Sequence, residues 1–131
     1  MIGLDTNVLV RYVTQDDPIQ SPKATHIIES LSTENQGFIT LVSVVELVWV
    51  LTSCYHSKKE EIISILEILL RTKELTVERA EVVWRALRQF LCSKADFADC
   101  LIERCAHAAA CEYTLTFDSK EAKTVGMHQI P

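Results

Sequence analysis

Residues 2–12 read IGLDTNVLVRY. A short apolar run, Ile2-Gly3-Leu4, ends on the carboxylate of Asp5, and a second apolar segment, Val8-Leu9-Val10, starts three residues later. The first run predicts a short buried strand over residues 2–5 and the second a helix from Thr6 to about Val13, so the chain opens strand-then-helix. An isolated carboxylate at such a junction is costly to bury unless something compensates it. The rest of the chain must supply that compensation.

The same alternation continues outward from this stretch. Asp16-Asp17-Pro18 breaks the first helix, and Ser21-Pro22 has the form of an N-cap with proline at the first helical position, opening a helix to about residue 33. Gly37-Phe38-Ile39-Thr40 predicts a second short strand. SVVELVWVLTSC, residues 43–54, is apolar on nearly all sides and fits a buried helix, while its β-branched content keeps a strand open. An amphipathic helix is expected over 58–71, where Ile62, Ile63, Leu66, Leu69 and Leu70 recur at helical spacing. ELTV at 74–77 reads as a short strand, 79–92 and 97–110 as helices, and EYTLTF at 112–117 as another strand, with a short helix after Asp118. Short strands alternating with helices favour a parallel sheet covered by helices, and the fold class is α/β.

With 131 residues, 48% of them hydrophobic, the chain has the size of one domain with a real core, spanning 1–131. Three prolines and three glycines leave no stretch that reads as a linker. No basic segment precedes an apolar run at the N-terminus and no window offers about 18 uncharged apolar residues, so neither a signal peptide nor a membrane span is expected and the location is read as cytoplasmic. Five cysteines with no CxxC pair are expected to be reduced core thiols rather than a disulfide frame or zinc site. The histidines, at 26, 56, 107 and 128, are too dispersed to suggest a ligand set. A net charge of −5 argues against indiscriminate attraction to nucleic acid through a basic surface. It does not exclude a nuclease, because a carboxylate site carries negative charge itself and a bound cation inverts the local field.

In open parallel sheets, ligands bind at the carboxyl ends of the strands. Asp5 ends the first strand and Asp118 ends YTLTF; if those strands are neighbours, their carboxylates meet at one edge, and Asp96 and Asp99 at the start of the helix DFADCLIERCAHAAAC add more acid. Each acid has a plain reading too. Asp5, Asp96 and Asp118 each precede a helix they can cap, Asp118 and Glu121 have capping-box spacing, and Asp99 can answer a helix dipole. Glu46 is flanked by Val42, Val44, Val45, Leu47, Val48 and Val50, with no Lys or Arg between Lys23 and Lys58, so it is expected to be buried. Protonation, a distant arginine such as Arg11 or Arg104, or a divalent cation shared with Asp5 would each compensate it.

LDTNVLVRY at 4–12, VSVVELVWVL at 42–51, DFADCLIERCA at 96–106 and LTFD at 115–118 together resemble PIN-domain ribonucleases, especially the VapC-type toxins of bacterial toxin–antitoxin pairs. The closing VGMHQIP is also similar to the way such toxins end, so the resemblance spans nearly the whole chain. It implies a PIN-like fold, a short central parallel sheet flanked by helices, and an acidic catalytic and metal-binding cluster at Asp5, Glu46, Asp99 and Asp118. Asp99 is preferred because it stands immediately before Cys100-Leu101-Ile102, with Asp96 supporting the site from one turn away. Asn7 would orient Asp5, and Thr116 would offer its hydroxyl to metal, water or phosphate; each has a plain reading, as a turn residue and a strand residue.

Oxygen-only ligands suit Mg²⁺ or Mn²⁺, and the implied reaction is endonucleolytic hydrolysis of RNA by metal-activated water, leaving 5′-phosphate and 3′-hydroxyl ends. The implied partners are an RNA substrate, a second copy in a homodimer, and a cognate antitoxin, with the apolar helices at 43–54 and 58–71 as one surface for it. Arg11, Lys94, Arg104 and Lys120 are candidates for phosphate contact and Trp49, Trp84 and Phe97 for base stacking, against plain readings as solvated charges and core residues. A noncatalytic PIN-like RNA- or protein-binding module and a DNA nuclease of related fold stay open. A phosphoacceptor or phosphatase with Asp5 as nucleophile expects a second early acid or a DxDxT pattern, and DTNVL has neither.

Overall fold

The computed structural model describes residues 1–131, which form two compact units, Met1–Glu78 and Arg79–Pro131. In the first, β1 (Ile2–Gly3), α1 (Thr6–Thr14), α2 (Gln20–Glu29), β2 (Gly37–Ile39), α3 (Leu41–Ser53), α4 (Lys59–Arg71) and β3 (Leu75–Val77) follow one another. The strands form one sheet in the order β1-β2-β3, all parallel, with Ile2 opposite Gly37 and Ile39 opposite Val77. Parallel neighbours need a long return connection, and helix pairs provide it on both crossovers. Their apolar sides meet in a core that includes Leu9, Ile39, Leu47, Leu51 and Leu66. Gly37, at the start of the central strand, lies where a Cβ would come within 2.7 Å of Leu4 Cδ1 and 2.9 Å of Leu31 Cδ1.

Local details depart from the sequence expectations for identifiable reasons. The first strand is two residues long; Ile2, Gly3 and Asp5 are exposed and Leu4 alone turns inward, so Asp5 poses no burial problem. The start of α2 is held by Asp17, whose Oδ1 accepts from the Ile19 and Gln20 N–H groups at 2.9 and 2.7 Å, while Ser21 is buried inside the helix. The helix stops at Glu29 because the Leu31 N–H turns to the Ile28 carbonyl (3.2 Å) in a tighter turn. The segment around Glu46 is helical despite its β-branched content, and Thr40 caps it by accepting from the Ser43 N–H at 3.1 Å. Glu46 is exposed, not buried: helical spacing puts it on one face with Val42 and Trp49, and Trp49 is 64% exposed rather than a core residue.

The second unit contains α5 (Ala80–Cys92), α6 (Phe97–Ala108), β4 (Leu115–Thr116), α7 (Ser119–Thr124) and β5 (His128–Gln129). α5 packs on α6, with Phe90 and Phe97 edge to face at 5.8 Å; Phe97 is core and Trp84 half-buried. β4 and β5 pair in parallel, Thr116 opposite Gln129, and the Tyr113 ring stacks on His128 at 4.4 Å. β5 is a strand the sequence did not suggest, and it makes β4 part of a separate two-stranded sheet. β1 and β4 are therefore not hydrogen-bonded neighbours; the α/β class holds, with its parallel strands divided between two sheets. None of the five cysteines forms a disulfide, and only Cys100 is a fully buried thiol; Cys54, Cys92 and Cys111 are exposed. No helix is long and apolar enough to cross a membrane.

Candidate functional site

In the Met1–Glu78 unit, Asp5 begins α1 through its backbone, its carbonyl accepting from the Val8 N–H at 3.0 Å. Its side chain makes no capping hydrogen bond, so the exposed carboxylate is left to the solvent side of the β1–α1 junction. The next residue reaches across to α3: Thr6 Oγ1 donates to Glu46 Oε1 at 2.9 Å. The exposed Asn7 side chain is not brought into hydrogen bonding with Asp5. Arg11, a candidate both as a phosphate ligand and as a counterion for Glu46, is turned elsewhere. Its Nε donates to Gln20 Oε1 at 2.8 Å and its Nη1 meets Asp16 Oδ1 at 3.4 Å. Asp16 also accepts from the Tyr55 and Thr14 hydroxyls, each at 2.7 Å, and these two donors hold its carboxyl below the ordinary carboxylate range.

The Arg79–Pro131 unit gathers a denser group of acids. Asp96 is the residue before α6, exposed, and again without a capping bond from its side chain; Asp99 stands half-buried in the first turn. Asp118 does cap: its Oδ1 accepts from the Lys120 N–H at 2.8 Å and the Glu121 N–H at 3.4 Å. Its own N–H donates to Thr116 Oγ1 at 3.1 Å, so Thr116 is a strand residue of β4 whose hydroxyl also closes the turn into α7, and one oxygen of Asp118 has its plain role as a helix cap. The other oxygen of Asp118 lies outside that pattern. Because the Asp118 N–H is committed to Thr116, the reciprocal half of a capping box is not made, and Glu121 turns inward instead.

Glu121 is the one charged side chain in the buried class, 9% exposed, and its Oε2 has no hydrogen-bond partner. Burial pushes its carboxyl up, and the facing charge of Asp99, which is also within hydrogen-bonding reach, pushes further; Asp118 and Asp96 add to this, and the result is about 6. No ion pair is made to any of these four acids. Arg104 is engaged with Glu103 at 2.7 and 2.9 Å; burial would raise Glu103, but that bond and charge outweigh it and hold the carboxyl low. Lys120 and Lys94 are exposed.

The residue chemistry of both groups is uniform: carboxylates with free oxygens and no thiol or imidazole among them. Such donors have the chemistry of ligands for a hard divalent cation such as Mg²⁺ or Mn²⁺, and the buried Oε2 of Glu121 has no hydrogen-bond partner. No three His, Cys, Asp or Glu side chains stand at coordinating spacing, so the acids form a charge cluster rather than a finished coordination shell.

The family model for the PIN domain matches residues 2–126. The chain belongs to the PIN-domain family. Among solved structures, the VapC20 toxin of Mycobacterium tuberculosis, described as cleaving the sarcin-ricin loop, is similar with a TM-score of 0.48 and 14% identity, over 99% of this chain and 98% of that one. No curated protein matches significantly.

In this PIN domain the sequence motifs point to Asp99 and Asp118 and pass over Glu121. Its signal is present in the spacing D118-x-x-E121, which puts two carboxylates on one side of a helix, but that spacing also describes a capping box. Only the Thr116 hydroxyl on the Asp118 N–H separates the two readings.

Proposed function

We propose that this PIN domain is a metal-dependent endoribonuclease that hydrolyses RNA phosphodiesters, with Asp5, Glu46, Asp99 and Asp118 as its acidic ligands and Mg²⁺ or Mn²⁺ as its ion. The observation that carries the reading is the buried, partnerless Glu121 oxygen facing Asp99, Asp118 and Asp96, a concentration of negative charge with no paired cationic side chain. Asp5 supports it with a carboxylate unused in capping, and Glu46 with one held in place by Thr6. A bound hard cation supplies positive charge for phosphate oxygens and a water of lowered pKa. The chain's own part is orientation: Thr6 fixes the Glu46 carboxylate, Thr116 and the start of α7 fix Asp118, and exposed Lys120 beside Asp118 offers an ammonium to phosphate.

The motif resemblance supports the further reading of a VapC-type toxin, working in the cytoplasm as a homodimer and held inactive by a cognate antitoxin. The exposed Val42 and Trp49 of α3, and Ile68 of α4, supply apolar surface of the kind such partners cover. The test is incubation of the purified chain with a mixed pool of structured RNAs, with Mg²⁺, with Mn²⁺ and with chelator, beside Asp5→Asn. Metal-dependent cutting at discrete positions by the parent alone is the expected result. Metal binding with no cutting in a broad pool would favour a noncatalytic module, and cutting of single-stranded DNA in preference to RNA would favour a DNA nuclease.

A further inference from the structure

Gln89 of α5 reaches two other helices with one amide. Its Nε2 donates to the Val125 carbonyl at 3.3 Å and to Glu103 Oε1 of α6 at 3.4 Å, one N–H for each. Val125 is the buried C-cap of α7 and Asp118 is its N-cap, so the amide grips one end of a 6-residue helix that begins at Asp118. Glu103 is itself held by Arg104 at 2.7 and 2.9 Å, and it stands four residues after Asp99, on the same side of α6. One side chain thus ties together the two helices that present Asp99 and Asp118. Its Oε1, by contrast, is buried with no hydrogen-bond partner. A half-satisfied buried amide adds little net stability, because desolvation of the oxygen offsets the bonds of the nitrogen. What it supplies is placement.

We infer that Gln89 is a positioning residue for the acidic site: it fixes α7 against α6 and so sets the spacing between the Asp118 and Asp99 carboxylates. A helix as short as α7 does not hold its own shape, and its direction depends on what grips its ends. At its start, the bonds of Thr116 and Asp118 are made within the same segment of chain. Burial of Val125 and Met127 keeps the segment in the core, but apolar contact is non-directional. The Gln89 bonds come from α5 and add the direction. The inference rests on the proposed metal dependence, with Asp99 and Asp118 as ligands, and gives Gln89 no contact with metal or substrate.

Mn²⁺ alone is the probe, titrated calorimetrically into the full-length chain, with thermal melting and amide hydrogen exchange recorded in chelator. Gln89→Met keeps the length of the side chain and removes both the donor and the unpartnered oxygen. Its melting temperature is expected within about 4 °C of the parent's. The Ala122 and Val125 N–H groups of α7 should exchange roughly tenfold faster while those of α4 are unchanged, and Mn²⁺ should bind about threefold to tenfold more weakly. Gln89→Asn keeps the amide on an arm too short to reach both partners; it is expected to weaken Mn²⁺ in the same direction and serves if the methionine variant fails to fold. Mn²⁺ affinity within about twofold of the parent's, less than half a kcal/mol, would overturn the inference. With a lowered melting temperature or faster α7 exchange, that result would make Gln89 a packing residue alone. Absence of Mn²⁺ binding by the parent chain itself would overturn the metal reading, and this inference with it.

Discussion

The Thr6 hydroxyl donates to Glu46 Oε1 at 2.9 Å, tying the first residue of α1 to the middle of α3 across 40 positions of sequence. Glu46 is exposed on a face otherwise formed by Val42 and Trp49, so this bond is the feature that restricts its carboxylate to one place. The residue after Asp5 therefore acts on the second acid of the motif rather than on the first.

Thr6→Val keeps the β-branched shape and removes the donor. Loss of a hydrogen bond of this kind costs about 0.5–1.5 kcal/mol, and Mn²⁺ affinity and RNA cutting should fall together by roughly threefold to tenfold, while Thr6→Ser restores both. Calorimetry and single-turnover cleavage measure the two effects. A valine variant that binds and cuts as well as the parent would show that Glu46 needs no positioning.

Asp118 has two duties that substitution can separate. Its Oδ1 caps α7 through the Lys120 and Glu121 N–H groups, and asparagine is as good a cap as aspartate. Asp118→Asn should therefore melt close to the parent and lose cleavage, whereas Asp118→Ala should lose cleavage and about 1 kcal/mol of stability as well. Equal stability losses in both would mean that the charge, not the cap, holds α7.

Much of the fold was legible because its signals are local. The switch from Ile2-Gly3-Leu4 to Val8-Leu9-Val10, the helical recurrence of Ile62, Leu66 and Leu69, and the strand at Gly37 all survive in the structure, with ends moved by a few residues. β5 was not legible, because His128-Gln129 carries no strand pattern and is ordered by pairing with β4 and by the Tyr113–His128 stack. The burial of Glu46 was misread for a related reason. Valine neighbours say that a helix has an apolar side, but not that all its sides are covered, and α3 leaves the Val42–Glu46–Trp49 face open. The inward turn of Glu121 was not legible either, since an acid three residues after an N-cap is the mark of a capping box, and only the Thr116 hydroxyl on the Asp118 N–H prevents one here.

The turn after α1 gives a pH signature. Tyr55 first, then Thr14, hold Asp16 below its ordinary value of 3.8, so Asp16 binds its proton more weakly in the folded chain than in the unfolded one. Its contribution to stability is present above that ordinary value and is lost as pH falls through the lower folded value. Tyr55→Phe removes the larger of the two hydroxyl donors, and carboxyl-detected NMR titration should show Asp16 moving up toward 3.8. An unmoved Asp16 titration would place the effect on Thr14 or on Arg11 instead.

Gly37 and Gly3 make a matched pair on neighbouring strands. A Cβ on Gly37 would sit 2.7 Å from Leu4 Cδ1, 2.9 Å from Leu31 Cδ1 and 3.1 Å from Leu75 Cδ2, whereas one on Gly3 meets nothing within 4 Å. Any one of these leucines could turn its methyl group away, but all three are buried in the same core and cannot yield together without disturbing their neighbours. Gly37→Ala should therefore destabilise the chain by about 1–3 kcal/mol, in the range of overpacked cores. Gly3→Ala should stay within about 0.5 kcal/mol of the parent, since β1 is exposed there and alanine restricts the unfolded chain. Urea unfolding of both variants decides the matter: a Gly37→Ala midpoint equal to the parent's would show that the leucines around the central strand have room to repack, so that crowding by Leu4, Leu31 and Leu75 is not what requires glycine at that position.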